Sequence, residues 1–188
     1  MKTLLECFDK LKNLPIAKTI VIKSNEDLKK LKFPYYMKAS LSEHKLEKKA
    51  VQRIENIEEA ESNYTRLKKQ FPKNPIVIQE QINGIEMILG LKEDKIFGKL
   101  LLIGFGGTNA EVLKDVQFRA IPVSKEEILK AVSDLKLYGT LYKRKKYAVD
   151  KFVELAHEVS KHDFKELDLN PVILTEDKAF IVDARGEF

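Results

Sequence analysis

Residues 166–183 read ELDLNPVILTEDKAFIVD, two largely apolar runs on either side of the polar stretch 175–178. This pattern predicts a β-hairpin with a four-residue turn. If Leu174 pairs with Ala179, the same register puts Asn170 opposite Asp183, and partners in an antiparallel pair project on one face of the sheet. The hairpin therefore predicts a sheet that carries an amide and a carboxylate side by side.

Alternation along the first strand of this hairpin puts Glu166 and Asp168 on the same face as Asn170. The patch offers carboxylate and amide oxygens without a thiol or imidazole, a donor set that suits Mg²⁺ held together with substrate phosphates. A solvated polar strand face is the alternative, and Pro171, which cannot donate to the ladder, weakens the register. The residues alone leave both interpretations open.

The rest of the chain shows short strand and helix patterns in two groups bounded by turns. Strands are predicted at 19–23, 34–39, 50–54, 76–82, 85–91, 99–103 and 118–123, and helices at 57–70, 124–135 and 149–160. The Asn83-Gly84 dipeptide between two apolar runs is typical of a β-hairpin. This mixture predicts the α+β class, with two α/β lobes and a cleft between them.

The composition limits the class of protein. Of 188 residues 44% are hydrophobic and the net charge is +5, so we expect a folded core rather than disorder. No apolar run approaches the roughly 18–20 residues of a membrane span, and Glu6 and Asp9 do not suit a signal peptide. The single cysteine, Cys7, excludes an internal disulfide framework. We therefore expect a cytoplasmic protein with no membrane partner.

One unbroken basic run stands out: Lys143, Arg144, Lys145 and Lys146. Elsewhere basic residues are interleaved with acids, as on solvated, salt-bridged helix faces. We interpret the run as a solvated loop in preference to a contact with an anionic ligand, and we expect no nucleic-acid partner.

Three further features suggest chemistry from their residue types. Gly106-Gly107 follows a strand, where it either brings backbone N–H groups close to a phosphate or forms a tight turn. His44 lies in a polar loop, where a phosphoryl donor or acceptor role is one hypothesis. Glu111 and Asp115, four residues apart, are expected to be solvated.

Four longer motifs follow one another along the chain. They are FPYYMKAS at 33–40, VIQEQINGIEMILGLKEDKIFG at 77–98, GFGGTNAEVLKDVQFRAIPVSKEE at 104–127, and ELDLNPVIL with AFIVDAR at 166–185. Their order, spacing and joint presence resemble the ATP-grasp β subunit of ADP-forming acetyl-CoA synthetases. The resemblance implies an ATP-grasp fold with nucleotide bound between two lobes. Residues 1–80 would carry the nucleotide lysine and phosphate loop, and residues 81–188 the ribose and metal site.

The resemblance also implies roles for individual residues in nucleotide binding. Lys38 would contact the phosphates or adenine, and Glu86 would accept hydrogen bonds from the ribose hydroxyls. The inter-lobe hinge, which would read adenine through its backbone, consists of Gln79, Glu80, Gln81 and Ile82.

Further implied roles concern the metal and the reaction. Asn170 and Asp183 would hold Mg²⁺, in agreement with the hairpin register. His44, in the segment HKLE, would relay a phosphoryl group between acyl phosphate and ADP or ATP. The implied ligase reaction is the reversible conversion of acyl-CoA, ADP and phosphate into acid, CoA and ATP. A CoA-binding α subunit would be the partner, because the chain has no dinucleotide-type glycine fingerprint.

Two segments depart from the family's pattern. Leu46 replaces Ser or Thr, and residues 48–50, Lys-Lys-Ala, replace a glycine-rich stretch that closes over phosphates. Residues 142–147 replace a second family segment. We therefore keep as an alternative a degenerate, non-catalytic ATP-grasp domain that binds nucleotide or a partner. A ligase that acts alone on another carboxylate is the least favoured hypothesis.

Overall fold

The chain forms two antiparallel β-sheets. The computed structural model describes residues 1–42, 49–107, 114–143 and 146–188. The strands of the first sheet are β1 (Thr19–Val21), β2 (Tyr35–Ala39), β3 (Val51–Ile54) and β4 (Ile76–Glu80). They run in the order β1-β4-β2-β3, so β2 and β4 are its central strands.

The second sheet is built from the later part of the chain. Its strands are β5 (Ile85–Asp94), β6 (Gly98–Phe105), β7 (Val116–Ala120), β8 (Glu166–Leu174), β9 (Ala179–Ile181) and β10 (Arg185–Glu187). The order is β10-β8-β5-β6-β7, and β9 pairs with β8 as well. The sheet therefore has β5 and β8 at its centre.

Helices cover the sheets, and side chains cap several of them. They are α1 (Leu4–Lys10), α2 (Ile57–Gln70), α3 (Lys125–Ser133), α4 (Thr140–Lys143), α5 (Val149–Ser160) and a 3₁₀ helix (Asn25–Lys29). Thr3 and Ser124 form capping boxes with the glutamate three residues later, which satisfies backbone N–H groups that a helix start leaves unpaired. No helix in the described ranges is long and apolar enough to cross a membrane.

Each sheet has its own hydrophobic core. The first core joins β2 and β4 to α2 through fully buried side chains such as Met37, Ile78 and Leu67. The second core lies under the six-stranded sheet and includes Phe152 of α5 and Leu4 of α1. Helix α1 thus packs into the second core although it precedes the strands of the first sheet in the chain. The predicted division into residues 1–80 and 81–188 stays a prediction.

The structure confirms most predicted elements and overturns one. Helices 57–70 and 149–160 and the strand 166–174 have the predicted bounds. The hairpin predicted at Asn83-Gly84 is wrong, because β4 and β5 belong to different sheets. A Cβ on Gly84 would overlap the carbonyl oxygen of Leu174, so glycine is needed there for close backbone approach at the crossing between sheets.

The C-terminal hairpin has the predicted register. Leu174 pairs with Ala179, and Arg185 pairs with Asp168 in the same register beyond an unpaired interval. Asn170 and Asp183 fall opposite each other in that interval. The pairing of β8 with β5 also shifts register here, between Met87 and Leu89. Such a bulge bends a strand and re-aims its side chains, and bulges are over-represented beside functional sites.

Candidate functional site

Lys38 joins the two sheets. Its side chain is 6% exposed, and its ammonium donates to Oε1 of Gln79 at 2.6 Å and to the carbonyl oxygen of Val182 at 2.8 Å. Gln79 lies on the neighbouring strand of the first sheet, whereas Val182 lies in the C-terminal hairpin, next to Asp183. A buried charge is costly unless it is hydrogen-bonded, so these two acceptors fix the ammonium where the sheets meet.

Gln79 is oriented by a second hydrogen bond. Its side chain is 1% exposed, and its Nε2 donates to Oγ1 of Thr19 at 2.9 Å. The Thr19 hydroxyl gives its own proton to the carbonyl oxygen of Ala17, at 2.8 Å, so it must accept from Gln79. This turns the Gln79 amide so that its oxygen faces Lys38.

The segment after β4 crosses from one sheet to the other. The backbone N–H of Glu80 donates to the carbonyl oxygen of Lys18 at 3.0 Å, and its carboxylate accepts from the Lys18 N–H at 2.7 Å. Oε1 of Gln81 accepts from Arg53 at 2.6 Å, and Ile82 packs against the cluster of Ala17, Ile173 and Val182. The predicted hinge therefore lies beside the C-terminal hairpin, with the Glu80 N–H already engaged.

Glu86 is exposed near the start of β5, opposite Ile173 in register. The N–H of Gly106 donates to the Glu86 carbonyl oxygen at 2.7 Å. That bond continues the antiparallel pairing of β5 with β6 by one residue beyond Phe105, so the Gly106 amide is used within the protein.

Asn170 and Asp183 lie at the interruption of the β8 ladder. Asn170 is exposed and Asp183 half-buried, and Oδ1 of Asp183 accepts from the Ala184 N–H at 2.9 Å. Pro171 lacks the N–H that would continue the ladder, which gives a physical reason for the interval. Asp183 thus directly follows the residue whose carbonyl holds Lys38, and Asn170 lies opposite Asp183 in register.

Asp168, predicted on the metal-binding face, has a partner of its own. Nη2 of Arg185 donates to Oδ2 of Asp168 at 2.6 Å, and both side chains are largely shielded from solvent. The hairpin register already pairs these two residues, so the sequence contained the signal for the ion pair. Charge-assisted bonds of this kind are short and orienting, and this one holds β10 against β8 beside Asn170.

Other candidate residues fall elsewhere. His44 and Glu111 lie outside the described residues, as do Leu46, Lys48, Arg144 and Lys145. Asp115 was expected to be solvated, which is wrong. It is 3% exposed, and its two oxygens accept from the N–H groups of Lys136 and Leu137 at 2.8 and 2.9 Å. Its role is to fix the segment after α3.

Comparison with known proteins gives the class. A family model described as an ATP-grasp domain matches residues 2–187, and the chain belongs to this family. The predicted ATP-grasp fold is thereby confirmed, in agreement with the observed α+β architecture.

Individual relatives are ADP-forming ligases. The chain is 33% identical over 198 residues to acetate–CoA ligase (ADP-forming) II of Archaeoglobus fulgidus, covering 98% of this chain and 29% of that protein. It is 38% identical over 112 residues to the acetate–CoA ligase (ADP-forming) I subunit beta of Pyrococcus furiosus, covering 54% and 47% of the two chains. It thus spans less than half the length of these relatives.

A solved structure extends the likeness to three dimensions. The acetyl-coenzyme A synthetase 1 of Ca. Korarchaeum cryptofilum, in complex with coenzyme A, Ca-AMPCP and HgCl⁺, superposes with a TM-score of 0.84 at 25% identity. The match covers 100% of this chain and 93% of the other.

Proposed function

We propose that this chain is the nucleotide-binding part of an ADP-forming acyl-CoA synthetase, which makes ATP from ADP with a phosphoryl group derived from an acyl phosphate. Family membership and the names of the relatives support the reaction class. The observation that carries the proposal is the bond from Lys38 to the carbonyl of Val182. This bond brings the buried Lys38 ammonium next to Asp183. The ammonium would neutralise a nucleotide phosphate, and the carboxylate would bind the metal ion that accompanies it.

The proposed nucleotide contacts follow the two sheets. Lys38 would bind phosphate or adenine, and its hydrogen bonds fix it before a ligand arrives, which avoids reorganisation on binding. The hinge residues Gln81 and Ile82 would offer backbone groups to adenine, since the N–H of Glu80 is already used. Glu86, exposed beside the glycine pair, would accept from the ribose hydroxyls.

Asn170 and Asp183 fit a magnesium ion. Mg²⁺ takes oxygen ligands and is commonly bound by one or two carboxylates together with substrate phosphates. One carboxylate and one amide oxygen, at a bulge near a lysine, match that requirement. When bound, the ion would neutralise phosphate charge. The chain's own part is to orient the nucleotide phosphates with Lys38 and to hold the ribose with Glu86.

His44 is the proposed phosphoryl carrier of this chain. In the direction from ATP, an imidazole nitrogen donates its electron pair to the γ-phosphorus, and the bond to the bridging oxygen breaks. The electron pair of the broken P–O bond leaves with ADP, and the proton on the other imidazole nitrogen passes to solvent. The reverse step makes ATP. A CoA-binding α subunit or domain is the proposed partner for the acyl-CoA step, in keeping with a relative named as a beta subunit.

A labelling experiment tests phosphoryl transfer on this chain. Purified protein is incubated with Mg²⁺ and ATP radiolabelled in the γ-phosphate, and protein-bound label is measured after separation from nucleotide. We expect base-stable, acid-labile label, as phosphohistidine gives, in the wild type. The label should be absent from His44→Asn and reduced by at least about tenfold in Asp183→Asn, because a metal ligand is lost.

A matched control is His162→Asn, which removes a histidine far along the chain and should leave labelling unchanged. Nucleotide binding without any label on the wild type would contradict the catalytic proposal and support the non-catalytic alternative. Label that persists in His44→Asn would show that another group carries the phosphoryl.

A further inference from the structure

A pair of glycines, Gly106 and Gly107, lies against Glu86 at the end of β6; we name the pair the glycine seat. The Gly106 N–H donates to the Glu86 carbonyl oxygen at 2.7 Å. The position where a Cβ would stand on Gly106 is 3.2 Å from Cβ of Glu86 and 3.3 Å from its carbonyl carbon. Gly106 therefore hydrogen-bonds to the backbone of Glu86, and a side chain at 106 would crowd the first carbon of the Glu86 side chain.

The second glycine of the seat faces the carboxylate itself. A Cβ on Gly107 would stand 3.2 Å from Oε2 and 3.9 Å from Cδ of Glu86. Gly107 also has φ of +80°, a conformation that residues with a side chain rarely adopt. Gly107 thus leaves open the space beside the Glu86 carboxylate, whereas Gly106 leaves open the space beside the backbone and first side-chain carbon of Glu86.

We propose that the glycine seat positions the Glu86 carboxylate for the ribose, so that Gly107 is a specificity-determining residue for nucleotides that carry ribose hydroxyls. The inference rests on the proposed function, in which Glu86 accepts hydrogen bonds from ribose. Glu86 is exposed, and its carboxylate lies next to the position that a side chain at 107 would occupy. A side chain at 107 would displace Oε2 by a few tenths of an ångström or turn the carboxylate to another rotamer.

Such a displacement has a specific consequence. Hydrogen bonds to a carboxylate weaken steeply with distance and angle, and the ribose hydroxyls are the donors that would lose them. A nucleotide without these hydroxyls loses nothing when the carboxylate moves. The seat therefore governs the difference in affinity between ADP and 2′,3′-dideoxy-ADP more than the affinity for dideoxy-ADP itself.

The chain supplies a matched control for backbone strain. Gly98, at the β5–β6 hairpin, has φ of +70°, and a Cβ there would meet no atom within 4 Å. Gly98→Ala and Gly107→Ala therefore impose the same kind of backbone strain, but only the second crowds Glu86. Gly106→Ala completes the set, because it crowds Glu86 at a residue whose φ is not positive.

The test is titration of ADP and of 2′,3′-dideoxy-ADP, each with Mg²⁺, into wild type and the three alanine variants, with Glu86→Gln as reference. We expect the wild type to prefer ADP by about tenfold or more, which corresponds to about 1.4 kcal/mol. Gly107→Ala and Glu86→Gln should both reduce the preference to about twofold or less. Gly106→Ala should reduce it partly, and Gly98→Ala should retain it.

The outcomes separate this inference from the proposed function. If Glu86→Gln loses the preference while Gly107→Ala and Gly106→Ala keep it, the seat is wrong and the ribose role of Glu86 stands. A wild type that binds ADP without any preference overturns the inference. A wild type that binds neither nucleotide contradicts the proposed function. If Gly107→Ala does not fold, Gly106→Ala decides.

Discussion

The two sheets contribute opposite kinds of side chain to the proposed nucleotide site. The first sheet supplies Lys38 and Gln79, which are 6% and 1% exposed and hydrogen-bonded to each other. The second supplies Glu86 and Asn170, which are exposed, and Asp183, which is half-buried. One side of the site is thus assembled by folding, whereas the other presents oxygen atoms to whatever binds.

The difference separates contributions to folding stability from contributions to ligand binding, which in most sites come from the same residues. A group held by buried hydrogen bonds contributes to the free energy of unfolding as well as to binding, because its partners lose their bonds when it is removed. An exposed acceptor contributes mainly when a ligand is present. Substitutions on the first sheet should therefore lower stability and affinity together, and substitutions on the second should lower affinity alone.

The largest effect on stability is expected for Gln79→Leu. The substitution removes one acceptor of the buried Lys38 ammonium and the donor to Thr19, so a charged group loses a hydrogen bond. We expect the free energy of unfolding to fall by about 1.5–3 kcal/mol, the range for hydrogen bonds to charged groups. Urea unfolding monitored by circular dichroism measures it.

The comparison variant is Glu86→Gln on the second sheet. Because Glu86 is exposed, we expect its free energy of unfolding to stay within about 0.5 kcal/mol of wild type. Its affinity for ADP should nevertheless fall by about tenfold, since a charge-assisted acceptor is lost. If Gln79→Leu were as stable as wild type, the first side of the site would not be assembled by folding.

A smaller effect is expected for Thr19→Val, which has nearly the same shape. The hydroxyl that orients Gln79 is lost, and both Gln79 Nε2 and the Ala17 carbonyl lose a partner. We expect the free energy of unfolding to fall by about 1 kcal/mol. The affinity for ADP should fall a few-fold, because Lys38 is less firmly held.

Thr65→Val is the control for Thr19→Val. The Thr65 hydroxyl donates to the Glu61 carbonyl at 2.9 Å, but on the exposed face of α2, and Thr and Val have similar helix propensities. We expect a change below about 0.5 kcal/mol and no effect on ADP binding. Equal losses of stability in the two variants would mean that the Thr19 bond has no special role.

Much of this fold was predictable from local patterns. The hairpin register follows from a polar turn between two apolar runs, and it correctly pairs Leu174 with Ala179. The same register extends to Arg185 and Asp168. Helix α2 was predictable to the residue because Asn56 caps its start and proline breaks the chain soon after its end. Longer motifs added the ATP-grasp fold, which the family match confirms.

The remainder depends on contacts between distant parts of the chain. No local pattern indicates that Lys38 reaches the carbonyl of Val182, because that bond requires two sheets to meet. Asn83-Gly84 was misinterpreted for the same reason: a hairpin and a crossing between sheets have the same local sequence. Asp115 was expected to be solvated, whereas tertiary packing buries it under backbone donors. The roles of His44, Asn170 and Asp183 stay predictions.

Magnesium-dependent ADP binding, measured by titration calorimetry, is the most direct test of a nucleotide site where Lys38 meets the C-terminal hairpin. Asp183→Asn is compared with wild type and with Asp177→Asn, an exposed carboxylate in the turn of the same hairpin. We expect Mg²⁺ to strengthen ADP binding by at least about tenfold in wild type and Asp177→Asn, equivalent to about 1.4 kcal/mol, and to have no effect in Asp183→Asn. An undiminished magnesium effect in Asp183→Asn would contradict the site.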